Sequence, residues 1–121
     1  MRKRREYADY LHDMLTYSER AEGLISGVDL NGFLSDEAKI LAVVRALEII
    51  GEAARHVPAD VRRRWPEVPW RRIVAMRNKL IHEYFGVDPE VIWRTVRQDL
   101  PVLRAALAGL EEELDRENAG G

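Results

Sequence analysis

Apolar residues recur at three- and four-residue steps along most of this chain, and no segment sustains the two-residue alternation of β-branched side chains that a half-buried strand requires. That periodicity restricts the fold to helices. At 121 residues the chain is one domain, predicted to occupy residues 1–117 with residues 118–121 as a frayed tail. Apolar residues make up 46% and charged residues 33%, enough for a packed interior and too much grease for a solvated polymer.

The spacing predicts four principal helices. The first runs from Arg4 to about Leu24 and turns Tyr7, Leu11, Met14, Ser18, Ala21 and Ile25 inward. Gly27, Asp29, Asn31 and Gly32 then favour a turn. Ser35 or Asp36 caps a second helix that buries Ile40, Val43, Val44, Leu47, Ile50 and Ala54 and ends before Pro58. Gly51 continues this inner stripe at a propensity cost of about 1 kcal/mol relative to alanine, which close helix approach would offset. Arg45, Glu48, Glu52 and Arg55 form a polar row, read first as surface pairs. The connector from Pro58 to Pro69 has room for a turn or two of helix.

Pro69 suits the first turn of a third helix, with Trp70, Ile73, Val74, Leu80 and Ile81 as its buried face and Gly86 as its breaker. Asp88, Pro89 and Glu90 signal the start of a fourth, whose stripe is Ile92, Val96, Leu100, Leu103, Leu107, Leu110 and Leu114, bent near Pro101. Short connections favour an antiparallel up-and-down bundle of all-α class. Its small core, apolar residues on several helix sides and three tryptophans predict a homodimer.

Several chemistries are excluded. With no cysteine there is no disulfide framework, thiolate metal site or cysteine nucleophile. His12, His56 and His82 are scattered without metal-ligand spacing, and neither a phosphate-cradling glycine loop nor a Gly-x-Ser-x-Gly elbow occurs. No metal or cofactor is therefore expected. No apolar run reaches the roughly 18 residues of a membrane span, which predicts a cytoplasmic protein. The formal charge is −2, yet Arg62 to Lys79 is locally cationic and Glu111 to Glu117 acidic. Either run, taken alone, reads as a solvated helix face.

One segment carries chemistry. From Ile73 to Phe85 the chain reads I-V-A-M-R-N-K-L-I-H-E-Y-F, setting Arg77, Asn78, His82 and Tyr84 among apolar positions. A histidine can move protons near neutrality, and an arginine offers a permanent charge and a fork of donors matched to phosphate. Together they can cleave RNA without metal: the 2′-hydroxyl attacks the adjacent phosphorus, histidine handles protons and arginine stabilises the charged phosphorane. DNA, which lacks that hydroxyl, is not a substrate for such chemistry.

Geometry sets a condition. Residues five apart on a helix diverge by about 140°, so Arg77 and His82 do not share a face, whereas Asn78 and His82 do. Either the Arg77 side chain arcs toward them, or the residues of two protomers meet across a twofold axis; the second solution is favoured. The bland readings are that Arg77 pairs with Glu83 or Glu48, that His82 is merely exposed or structural, and that Tyr84 packs with a satisfied hydroxyl.

The stretch R-N-K-L-I-H-E-Y resembles the Arg-x4-His-x-Tyr signature of HepT-type toxins in the HEPN superfamily of helical ribonucleases. I-G-E-A-A from Ile50, W-R-R-I-V-A-M before the arginine and Y-F-G-V-D-P-E-V-I-W after the histidine extend the likeness over roughly Leu34 to Leu110. The resemblance implies a four- or five-helix bundle that dimerises into a composite RNase cleft, with Arg77 and His82 catalytic; Asn78 is expected to assist because its spacing puts it on the His82 face. It also implies a toxin–antitoxin pair in which a small MntA-type nucleotidyltransferase uses ATP to attach AMP to the motif tyrosine, here Tyr84, silencing the nuclease. The rival expectation is a catalytically silent helical dimer that partners a nucleotidyltransferase. A purely structural bundle leaves the Arg-His-Tyr grouping unexplained.

Overall fold

The computed structural model describes residues 2–83 and 87–120, with side-chain surroundings for residues 7–83, 87–117 and 119, and every regular element among them is helical. Helix α1 spans Arg2–Ile25, α2 Leu30–Leu34, α3 Glu37–Arg55, α4 Ala59–Arg64 and α5 Trp70–His82. Helices α6 (Pro89–Arg94) and α7 (Leu100–Gly120) are joined without a break by a π turn at Thr95–Asp99. Among the described residues, no helix is long and apolar enough to cross a membrane.

The predicted stripes form the core. Leu11, Met14, Ser18, Ala21 and Ile25 of α1 are buried, as are Val43, Leu47, Ile50, Gly51 and Ala54 of α3 and the series Leu100, Leu103, Leu107, Leu110 and Leu114 of α7. Each large apolar side chain buried in this way contributes about 1.5–3 kcal/mol relative to exposure. The hydroxyl of buried Ser18 donates to the Met14 carbonyl at 2.7 Å, so the one polar member of the α1 stripe is satisfied within its own helix.

Cross-helix contacts fix the directions. The Tyr10 ring stacks on His56 with centroids 4.9 Å apart, while Lys39 Nζ donates to the Leu24 carbonyl at 2.9 Å, so α1 and α3 run antiparallel. The second contact also places a cation on an orphan carbonyl at the end of α1. His12 beside Glu111 and Arg104 beside Glu22 make α1 and α7 antiparallel in the same way.

Three local features differ from the periodicity alone. The chain turns at Gly27, whose φ of 73° suits glycine, but then forms the extra helix α2: Asp29 accepts from the Gly32 amide at 2.7 Å and fully buried Phe33 pins the turn against Trp93. Ile81, expected on the buried face of α5, is 38% exposed because it lies in the last turn, toward the edge of that face. Pro101 is accommodated by a change of hydrogen-bond register: the Leu100 amide reaches back to Thr95, and the π turn precedes the residue that cannot donate. Asp36, not Ser35, caps α3, accepting from the Lys39 amide at 3.0 Å. Helix α5 ends at His82 with Glu83 as its cap; the expected breaker, Gly86, lies outside the described residues.

Candidate active site

Helix α5 packs along α3, and their closest approach is built on Gly51. A Cβ at that position would lie 2.8 Å from Arg77 Cγ, closer still to Arg77 Cβ, and 3.1 Å from the Ile73 carbonyl oxygen. The missing side chain lets the stem of Arg77 pass directly over the backbone of α3, leaving the Arg77 side chain 19% exposed. The guanidinium then emerges beside the next residue of α3, Glu52, whose Oε2 lies 2.8 Å from Nη2.

On its other side the guanidinium turns toward Asn78, with Nη1 donating to Oδ1 at 2.8 Å. This bond joins chain neighbours, and no hydrogen bond joins Arg77 to His82 among the described residues. Each terminal nitrogen makes one of these contacts and carries a second N–H, so the fork can still meet an anion. Nε is buried and makes no hydrogen bond among the described residues. The alternative partners Glu48 and Glu83 do not hold Arg77; Glu48 pairs with Arg45 at 3.3 Å.

Glu52 is the residue that periodicity undervalued. It binds Arg55 at 3.2 Å, as the surface row predicted, and also His56 Nε2 at 3.2 Å and Arg77. Burial pushes its carboxyl up, but the hydrogen bond from His56 and the charges of Arg55, Arg77 and His56 outweigh that and hold it below the ordinary carboxylate value. The available signal was its place directly after Gly51: a residue next to a close-approach glycine faces the neighbouring helix.

His82 is the final residue of α5, one turn beyond Asn78 on the same face, and both are exposed. Tyr84 lies outside the described residues. Asn78 and His82 thus occupy an open surface with part-buried Arg77 beside them; none of the three lines the half-open apolar pocket of about 240 Å³ bordered by Leu47, Ile73, Met76, Leu100 and Leu103. Among the described residues, no cluster of three or more His, Asp or Glu side chains could hold a metal ion. The arrangement offers a fixed, forked cation, an amide and an imidazole to a solvent-accessible anion.

A helical bundle presenting this triplet on one exposed helix defines the class of the protein. The family model described as Ribonuclease HepT-like matches residues 14–110, and the chain belongs to that family. It is 44% identical over 109 residues to the "Probable ribonuclease HepT" of Thermococcus cleftensis, covering 90% of this chain and 99% of the relative. It is 33% identical over 112 residues to a "Putative RNase" of Methanocaldococcus jannaschii, covering 93% and 97%. A "Putative RNase" of Caldanaerobacter subterraneus subsp. tengcongensis is 42% identical over 94 residues, covering 78% and 84%. No solved structure matches the chain.

Proposed function

We propose that this chain is a metal-independent endoribonuclease and the toxin of a toxin–antitoxin pair. The observation that supports the reading is the Arg77–Asn78 hydrogen bond, which ties the guanidinium to the residue one turn before His82. In the reaction the 2′-oxygen of the RNA forms a bond to the adjacent phosphorus and loses its proton, while the bond from phosphorus to the 5′-oxygen breaks and that oxygen gains a proton. His82 serves proton transfer, Arg77 holds the scissile phosphate and stabilises the phosphorane, and Asn78 fixes the guanidinium. The products carry a 2′,3′-cyclic phosphate and a 5′-hydroxyl.

The working unit is a homodimer in which Arg77 and His82 of both protomers line one cleft. Control is by an MntA-type nucleotidyltransferase that transfers AMP from ATP to the Tyr84 hydroxyl and releases pyrophosphate. Each AMP adds a phosphate charge and an adenosine two residues along the chain from His82, so inhibition is electrostatic and steric. Expression in cells tests the reading: the natural chain should arrest growth and cleave RNA, and Arg77→Ala and His82→Ala should do neither. Equal toxicity of all three overturns it.

A further inference from the structure

The exposed face of α5 continues past the site. Arg71 precedes His82 by eleven residues, three turns and about 16 Å along the axis, and lies within about 20° of the same line. Ala75 and Asn78 fall between them, while Arg72 and Lys79, seven apart, make a second row alongside; all six residues are exposed. Helix α5 itself contains no carboxylate.

Arg71 and Lys79 make no ion pair among the described residues and Arg72 reaches Asp99 only at 4.0 Å, but Arg20, Arg62, Arg63, Arg97 and Arg116 are also unpaired among those residues, so free cations alone do not single out this face. What separates it is position: Arg71 and Arg72 occupy the first turn of α5, where no acidic residue stands. The helix dipole opposes cations there, so their placement works against local stability. Lys79 in the last turn is explained by the dipole; the two arginines are not.

We propose that the outer face of α5 is a track for the backbone of single-stranded RNA, with Arg71, Arg72 and Lys79 binding phosphates next to the one cleaved at Arg77 and His82. It rests on the ribonuclease reading and adds where the substrate lies. Ala75 keeps the line between Arg71 and Asn78 low, so a strand can lie flat on the helix. None of the six side chains is aromatic, so no base has a stacking platform on this face, and the track reads phosphate rather than sequence.

The test uses the full chain in a His82→Ala background, a labelled single-stranded oligoribonucleotide and a salt series. Arg71→Gln with Arg72→Gln should weaken binding and reduce the slope of log affinity against log salt by about 1.4, from 0.7 per lost phosphate contact. The melting temperature should stay level or rise, because two dipole-opposed charges are gone. Ala75→Glu, which keeps a helix former, should also weaken binding. Unchanged affinity and slope in these variants overturn the track even if the natural chain cleaves RNA. Unchanged RNA binding with lost attachment to the nucleotidyltransferase also overturns it, and assigns the face to a protein. The predicted slope change without any cleavage by the natural chain keeps the track and removes the nuclease reading.

Discussion

Gly51 of α3 and Arg77 of α5 meet where neither can be enlarged: a Cβ on Gly51 would come within 2.8 Å of Arg77 Cγ and 3.1 Å of the Ile73 carbonyl. Gly51→Ala gains about 1 kcal/mol of helix propensity but forces the two helices apart, at a cost of about 1–3 kcal/mol. The atoms it meets are the root of a side chain and a backbone oxygen, which cannot swing aside, so the upper part of that range applies. Chemical denaturation should show a net loss, and RNA cleavage should fall with it as Arg77 leaves Glu52 and Asn78. A variant at least as stable as the natural chain contradicts the close approach.

The Glu52 carboxyl titrates below its ordinary value in the folded chain. Folding therefore favours its charged form, and this contribution is complete above about pH 4.5 and lost as pH falls through the lowered folded value. Glu52→Gln should flatten the acid limb of a stability–pH profile in that window. The carboxyl is 45% exposed, so the change will be modest against the whole profile. An identical acid limb in the variant would show that Glu52 carries none of it.

Phe33, the anchor of α2, is fully buried with its ring 5.4 Å from that of Trp93. Phe33→Ala should cost about 3–5 kcal/mol in denaturant unfolding. A loss below about 1 kcal/mol would mean that α2 is not integral to the core.

Much of this was legible because helix periodicity reports burial directly. The stripes of α1, α3 and α7 and the close approach at Gly51 follow from residue spacing, and the cap of α3 is narrowed to Ser35 or Asp36. Helix α2 did not, since five residues show too little periodicity and its signal, an aspartate before a glycine, is also that of a turn. The π turn was hidden because a proline announces a lost hydrogen bond without specifying how the helix absorbs it. At the site, the segment Arg77 to His82 announces itself, but the partner of Arg77 was the i+4 neighbour of Glu48. A polar row on one helix reveals which residues can pair locally; which of them also faces a second helix depends on packing.

Tyr84 supplies a test of regulation. Incubated with the nucleotidyltransferase, ATP and magnesium, the natural chain should gain mass in AMP-sized steps, and Tyr84→Phe should gain none. Persistent mass gain in the variant would move the modified residue elsewhere without touching the nuclease chemistry.

Cleavage of a defined RNA by the purified chain in the presence of a chelator, with the ends of the products identified, tests the proposed chemistry at its reacting atoms. Fragments should end in a 2′,3′-cyclic phosphate, a single 2′-deoxy substitution at the cut site should block the reaction, and His82→Ala and Arg77→Ala should each lower the rate by about 10²–10⁴. Cleavage that survives the 2′-deoxy substitution, or a His82→Ala chain as fast as the natural one, would contradict the account.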